Sequence, residues 1–272
     1  MIKFFSMNEK IYNVKIDKDE VLRYLGYTRS RASNDAGCSA GDGGTESRPF
    51  HYELDAAVNA QIDNCIKKTE SAAQPKYVYR VFALERSLKN NCELADADAE
   101  NERILLSGTS VEIPGRDAAA LLKDCSSCIV LAATLGQKSE MMLRRAQITD
   151  MTEAVILDSC ASSAVESVCE QLNDDLRSEY AAAGKFLTDR YSPGYGDMPL
   201  SLQPELCGLL QTEKRIGLSV SPGLTLIPSK SVTAIIGISD VPQKMREVSC
   251  DACRLRDTCK IREAGGSCGK SK

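Results

Sequence analysis

Residues 189–199 read Asp-Arg-Tyr-Ser-Pro-Gly-Tyr-Gly-Asp-Met-Pro, and they separate a helical region from a region of short strands. Pro193 fixes φ and lacks an amide donor, while Gly194 and Gly196 permit positive φ. This composition suits neither a helix nor a strand, so it predicts a rigid turn that holds Arg190 and Tyr195 at set positions. Such a turn is either an ordinary surface turn or a binding site, because loops on a rigid scaffold often carry function.

The segments on either side of this turn predict an α+β fold. Upstream, helical periodicity alternates with strand-like runs, and downstream a helix precedes three short strands that form an antiparallel meander. Because regular strand–helix–strand alternation is missing, we expect a mixed or antiparallel sheet with flanking helices. The predicted helices are Leu54–Glu70, Thr152–Tyr180 and Leu202–Leu210, and the predicted strands are Tyr77–Leu84, Ile129–Thr134, Arg215–Val220, Leu224–Ile227 and Val232–Ile238.

Local signals predict further boundaries. Residues 11–16 alternate apolar and polar side chains, which is typical of an edge strand. Asp19 is the predicted N-cap of a short helix that stops at Gly26, and Asp117 is the predicted N-cap of a helix through Leu122. Residues 30–47 are rich in Ser, Ala, Gly, Asn and Asp, so we expect a mobile insertion there.

Composition narrows the class of protein. The 272 residues carry 34 Lys and Arg against 38 Asp and Glu, a net charge of −4, so no nucleic-acid partner is expected. The longest apolar runs are too short to cross a bilayer and no targeting segment is evident, which predicts a cytoplasmic protein without a membrane partner. The glycine-rich nucleotide motifs and the nucleophile elbow are missing, so the common dehydrogenase, ATPase and hydrolase folds are not supported.

The end of the chain differs in character from the rest. Four cysteines fall within nineteen positions among basic residues, and a CxxC spacing lets two thiolates face one ion. We expect residues 1–245 to form the main domain and residues 246–272 to form a cysteine-rich tail. The tail is either a metal site, with an Fe–S cluster favoured slightly over zinc, or a segment with free thiols. The candidate ligands are Cys250, Cys253, Cys259 and Cys268.

A second CxxC, Cys125–Cys128, stands at a predicted helix-to-strand junction. It has no second pair close to it in sequence. Packing is therefore the favoured interpretation, and a redox or metal role is the alternative.

Several segments together resemble the reactivation domain of cobalamin-dependent methionine synthase. Residues 190–195, Arg-Tyr-Ser-Pro-Gly-Tyr, resemble the Arg-x-(Ala/Ser)-x-Gly-Tyr signature with which that family binds S-adenosylmethionine. The helix containing Glu166 resembles the family helix whose acidic residue contacts the ligand. Residues 215–218, residues 228–232 and Gly237 resemble the closing strands of the domain.

The resemblance implies a role for each residue of the motif. Arg190 would pair with the methionyl carboxylate and Glu166 would accept from the ammonium group of the ligand. Ser192 and the Gly194 backbone would hydrogen-bond the ligand. Tyr195, the one residue assigned to catalysis, would lie near the transferred methyl group and the corrin face.

The resemblance also implies partners. The cobalamin would be carried by a separate chain, either a methionine synthase subunit or another corrinoid protein, and a flavodoxin-like donor would supply an electron. The chain would then be the S-adenosylmethionine-dependent reactivation component of methionine synthase. The alternative is an electron-transfer protein, centred on a metal or an Fe–S cluster in the tail, for another corrinoid methyltransferase.

Overall fold

The computed structural model describes residues 5–7, 10–27, 54–88, 102–243 and 257–258. Within them the helices are α1 (Lys18–Tyr24), α2 (Ala56–Ala72), α3 (Arg116–Leu122), α4 (Gln137–Thr149), α5 (Met151–Ala182), α6 (Gln203–Leu210) and α7 (Thr212–Ile216). The strands are β1 (Phe5–Met7), β2 (Lys76–Leu88), β3 (Glu102–Leu106), β4 (Glu112–Ile113), β5 (Cys125–Thr134), β6 (Phe186–Leu187), β7 (Ser219–Val220), β8 (Leu226–Ile227) and β9 (Ser231–Ser239).

One antiparallel sheet organises the molecule. Its strand order is β4-β3-β2-β5-β9-β6, with β1 paired to β2, while β7 and β8 form a separate hairpin. The central strand β5 pairs with β2 on one side and with β9 on the other, so that Ile129 lies opposite both Val81 and Ile236. The turn at residues 189–199 follows the edge strand β6, which places it at one side of this sheet.

Helices cover both faces of the sheet, and β5 is therefore buried on both sides. Ile129 and Leu131 belong to the core shared with α2, α4 and α5. Cys128 and Val130 belong to a second core shared with α3, α6 and α7. This burial explains why β5 has a continuous apolar run rather than an alternating one, as in strands that are covered on both faces.

The α+β class is confirmed, together with most of its elements. The predicted helices around Leu54–Glu70 and Thr152–Tyr180 correspond to α2 and α5, and the predicted helix at Leu202–Leu210 corresponds to α6 and the preceding 3-10 turn. The strands predicted at Tyr77–Leu84 and Ile129–Thr134 lie within β2 and β5. In the part of the chain that is described, no helix has both the length and the apolar character required to cross a membrane.

The strand predicted at residues 11–16 is wrong. These residues have no ladder pairing within the described part of the chain, although the exposure of their side chains does alternate along the segment. Tyr12 packs in the core and donates a hydrogen bond to Asp175 on α5, at 2.8 Å. The alternation therefore comes from packing across helices and not from a sheet.

The predicted meander after the turn is also wrong. Residues 212–216 form helix α7, so the strand predicted from Arg215 reduces to Ser219–Val220. The third strand, β9, leaves the β7–β8 hairpin and enters the main sheet between β5 and β6. Its apolar run is buried because it occupies an interior position there.

Both predicted N-caps are displaced. Asp17 caps α1, accepting a hydrogen bond from the amide of Asp19, which is itself inside the helix. Gly115 occupies the N-cap position of α3, so Asp117 lies in the first turn of the helix and not at its N-cap. The predicted division at residue 245 stays a prediction, and residues 30–47 and the cysteines of the tail lie outside the described residues.

Candidate functional site

Backbone hydrogen bonds close the turn at residues 192–199. The amide of Gly194 donates to the carbonyl of Met198 at 2.9 Å, and the amide of Met198 donates to the carbonyl of Tyr195 at 3.1 Å. Gly194 has φ +90° and Gly196 has φ +53°, values that glycine adopts without steric cost. The rigid turn that the sequence predicts is therefore present, and its two glycines have the conformations that require them.

The start of the turn is fixed to strand β9. Tyr191 exchanges two backbone hydrogen bonds with Ile235, at 2.9 and 2.8 Å. Upstream, Thr188 Oγ1 accepts a hydrogen bond from the amide of Gly237 at 2.8 Å. A Cβ at Gly237 would lie 2.5 Å from the Sγ atom of Cys125, so glycine permits this close packing. Arg190 therefore extends from a backbone segment that is held on both sides.

The end of the turn is fixed to helix α3. Asp197 accepts hydrogen bonds from the amides of Arg116 at 2.6 Å and Asp117 at 3.2 Å. It thus supplies the N-cap that Gly115 cannot provide, from about 80 residues further along the chain. A Cβ on Gly196 would lie 2.1 Å from Tyr191 Oη and 2.2 Å from a carboxylate oxygen of Asp117, so a side chain at this junction would displace both groups.

An ion pair forms the centre of the candidate site. Nη2 of Arg190 lies 2.5 Å from Oε2 of Glu166 on α5, and the Arg190 side chain is 17% exposed. Nη1 of Arg190 is buried and makes no hydrogen bond to any described atom. Burial opposes the charge of Arg190, but the neighbouring acidic groups, Glu166 among them, outweigh that effect and raise its pKa. The guanidinium therefore remains charged and retains unused donors.

An uncharged cysteine thiol and aromatic side chains lie on the elements that carry the Arg190–Glu166 pair or adjoin it. Cys169, one turn beyond Glu166, is buried, and burial raises the pKa of its thiol to about 12. Tyr24 on α1 is partly exposed, and its pKa is raised by burial, by Glu20 and, to a lesser degree, by Glu166. Tyr195 on the turn is 66% exposed. The ion pair itself is partly accessible, since the side chains of Arg190 and Glu166 are 17% and 33% exposed.

The predicted site residues divide into three groups. Glu166 and Arg190 are in direct contact, although 24 residues separate them in the sequence. Ser192, Gly194 and Tyr195 follow Arg190 in the same closed turn, and their roles toward a ligand stay predictions. The cysteine ligands of the tail, residues 250–268, lie outside the described residues.

The Cys125–Cys128 pair has the environment of packed thiols. A register shift between Cys125 and Ser127 lets both cysteines join the same core. Burial raises the pKa of Cys125 to about 11 and that of Cys128 to about 12, so both remain thiols at neutral pH. Among the described residues no cluster of potential metal ligands is present. The packing interpretation of this pair is therefore favoured over a redox role, which needs a thiolate.

Sequence reasoning missed several residues that build the site. Asp197 and Tyr191 position the turn, and no local pattern reveals their distant partners. Cys169 and Glu170 could have been found from Glu166, because residues three and four apart share a helix face.

The comparisons with known proteins give a structural likeness. No protein-family model matches the sequence, and no curated protein matches it. Among solved structures, the MetH reactivation domain bound to AdoHcy is similar: it is 15% identical, with a TM-score of 0.45, over 78% of this chain and 75% of that chain. AdoHcy is a ligand of that protein, and at this identity the likeness assigns no ligand to the present chain.

Proposed function

We propose that this chain binds S-adenosylmethionine at Arg190 and Glu166 and presents its methyl group to a corrinoid carried by a separate chain. It would act as an accessory component in the reductive reactivation of cobalamin-dependent methionine synthase or of another corrinoid enzyme. The observation that supports this most is the contact between Arg190 and Glu166 beside a closed turn. A cation and an anion held together are the complement of a methionyl group, which carries a carboxylate and an ammonium.

The donors and acceptors of the site suit that ligand. Nη1 of Arg190 has no protein acceptor among the described residues, and a ligand carboxylate would supply one. A buried donor without an acceptor costs about 1–3 kcal/mol, which ligand binding would recover. Glu166 is about one-third exposed and can accept from an ammonium group. Gly194 has no side chain, so a ligand can approach the backbone of the turn.

The chemistry would belong mainly to the ligands, and the protein would position them. A flavodoxin-like donor would supply one electron to the Co(II) of the partner, and the methyl cation of S-adenosylmethionine would then move to the reduced cobalt, leaving S-adenosylhomocysteine. Tyr195 is the exposed aromatic residue of the turn and would lie where the two ligands meet.

Calorimetry tests the binding step. The intact protein should bind S-adenosylmethionine, and Arg190→Met should weaken binding by about 1.5–3 kcal/mol, or roughly 10- to 150-fold in Kd, because a charged hydrogen bond is lost. Arg103→Met is the matched control, since Arg103 pairs with Glu112 on the far side of the sheet. The proposal fails if the intact protein binds no S-adenosylmethionine either alone or with its corrinoid partner.

Visible spectroscopy tests the complete function. Under anaerobic conditions the protein, S-adenosylmethionine, a reductant and a Co(II) corrinoid partner should together convert the corrin spectrum to that of the methylated form. The same mixture with Arg190→Met should convert more slowly at a limiting ligand concentration. Equal rates with and without the protein would contradict the proposal.

A second candidate function rests on the cysteine tail. The spacing of Cys250, Cys253, Cys259 and Cys268 favours an Fe–S cluster or a zinc ion that would serve electron transfer to a corrinoid enzyme. Iron content and visible absorbance after anaerobic purification would support an electron-transfer cluster. Metal-free protein with full reactivating activity would exclude it. A Cys250→Ser and Cys253→Ser double variant, with Cys207→Ser as a control for a buried thiol, assigns any bound metal to the tail.

A further inference from the structure

A cavity of about 490 Å³ is lined by residues of α4, of α5 and of the loop that joins β8 to β9. Sites for small ligands commonly have volumes of about 300–1,000 Å³, with apolar walls and a few polar groups. The cavity is separate from the Arg190 site, because Asp158 in its wall precedes Glu166 by eight residues on α5, or about 12 Å along the helix axis. Its lining residues are Glu140, Leu143, Arg144, Gln147, Ile148, Asp158 and Ser229.

Glu140 is the fixed part of the cavity wall. Its side chain is buried, and its Oε2 atom accepts hydrogen bonds from the amide of Ser229 at 2.8 Å and from the hydroxyl of Ser229 at 2.7 Å. Its Oε1 atom accepts a hydrogen bond from Nε of Arg144 at 2.8 Å. Burial opposes ionisation of Glu140, but these hydrogen bonds outweigh it and lower its pKa, so the carboxylate is charged. A buried carboxylate with both oxygens engaged therefore orients the Arg144 guanidinium.

Arg144 supplies the available donors of the cavity. Its bond to Glu140 uses Nε, and its terminal nitrogens Nη1 and Nη2 make no hydrogen bond within the described part of the chain. The other exposed charge in the lining, Asp158, lies 2.8 Å from Nζ of Lys230 and is balanced by it. Because a guanidinium presents its N–H groups in a fixed fork, the free end of Arg144 suits a carboxylate.

An apolar surface adjoins this free guanidinium end. Ile148 follows Arg144 by four residues on α4, so the two side chains share a helix face, and Ile148 is 87% exposed. Leu143 is buried at the same cavity. An apolar body bound beside Arg144 would cover Ile148 and remove its surface from water, which is favourable.

We infer that this cavity binds a small monocarboxylate with an apolar body. The carboxylate accepts hydrogen bonds from the terminal nitrogens of Arg144, and the apolar body contacts Leu143 and Ile148. A dicarboxylate is disfavoured, because Glu140 and Asp158 line the same cavity. The inference does not depend on the proposed function, since no residue of the cavity belongs to the Arg190 site.

A titration of the intact protein, followed through the NMR signals of the ligand, tests the inference with 4-phenylbutanoate and its uncharged counterpart 4-phenylbutanamide. The acid should bind about fivefold to tenfold more tightly than the amide, because only the acid makes charged hydrogen bonds. Arg144→Gln should weaken binding of the acid by about the same factor and leave the amide unaffected. Arg145→Gln is the matched control, since Arg145 is exposed on the same helix but does not line the cavity.

A second pair of variants tests the apolar contact. Ile148→Ser should weaken binding of the acid and of the amide alike, by about threefold, because both compounds have the same phenyl group. Met141→Ser is the control, since Met141 is an exposed apolar residue of α4 outside the cavity lining. Thermal unfolding should show that all four variants are folded, because the substituted side chains are exposed.

The wild type alone can overturn the inference. The cavity is no carboxylate site if 4-phenylbutanoate does not bind, or if it binds no more tightly than the amide. Equal losses of affinity in Arg144→Gln and Arg145→Gln would mean that the acid responds to the general positive charge of α4, which would also contradict a site at this cavity. Equal losses in Ile148→Ser and Met141→Ser would contradict the contact with Ile148.

Discussion

Replacing Asp197 by alanine should destabilise the protein although this side chain is exposed. The substitution removes the acceptors for the amides of Arg116 and Asp117, and Gly115 has no side chain to replace them. Loss of an N-cap costs about 1 kcal/mol, and loss of a negative charge at a helix N-terminus costs about 0.5 kcal/mol more. We therefore expect a loss of about 1.5 kcal/mol, or about 3–6 °C in Tm for a domain of this size.

The same substitution should also weaken ligand binding, because the turn that carries Arg190 loses its attachment to α3. If reordering the turn on ligand binding costs half or more of the lost free energy of unfolding, the Kd for S-adenosylmethionine rises about threefold to tenfold. Urea unfolding and calorimetry measure the two effects. Asp240→Ala, which removes only the exposed ion pair with Lys185, is the control and should cost less than about 0.5 kcal/mol. If Asp197→Ala matches this control in both measurements, the cap does not hold the turn.

Three further predictions concern the rest of the fold. Gly196→Ala should cost about 2–4 kcal/mol in urea unfolding, whereas Gly184→Ala, which also has positive φ but faces open space, should cost only about 1 kcal/mol. Burial opposes ionisation of Asp175, but hydrogen bonds from Lys10 and Tyr12 outweigh it and lower its pKa below 3.8. The ionised Asp175 therefore stabilises the fold above the pKa of an ordinary aspartate, and this stabilisation is lost as the pH falls through the lowered pKa of Asp175 in the folded protein. Asp175→Asn should make the free energy of unfolding less dependent on pH in this acidic range. Because burial raises the pKa of Cys125 and Cys128, iodoacetamide at about pH 8 should label neither in the folded protein and both in urea, as mass spectrometry would detect.

The sequence predicted the elements whose own apolar pattern is clear. Helix α5 follows from the periodic spacing of its apolar residues, and strand β5 follows from its continuous apolar run, since each is long and deeply buried. The short elements could not be predicted from their own sequence, because their conformation depends on distant partners. Residues 11–16 alternate like a strand but pack across α5, and Arg215 belongs to a helical turn that ends at Gly217 with φ +68°.

The turn was predictable from its own residues, but its anchors were not. Pro193 and the glycines predict an irregular segment, and the resemblance noted from the sequence predicted that Glu166 and Arg190 contact the same ligand. The cap by Asp197 could not be read from sequence, because the amides it satisfies lie about 80 residues away. The sequence predicted Asp117, the nearest acidic residue, as the N-cap of α3, whereas in the tertiary structure the distant Asp197 accepts the hydrogen bonds of an N-cap.

In the proposed function, the ion pair between Arg190 and Glu166 would limit which ligands the site accepts. A ligand with only a carboxylate would have to separate the pair and leave Glu166 with an unbalanced charge, partly shielded from water. A ligand with a carboxylate and an ammonium replaces one ion pair by two, so neither protein charge loses its partner. This exchange is favourable only if the guanidinium stays in place while Glu166 moves to the ligand. The backbone bonds of Tyr191 to β9 and the cap of Asp197 on α3 hold the turn at both ends, and in the proposed function that attachment would make an exchange at Arg190 selective for a zwitterion.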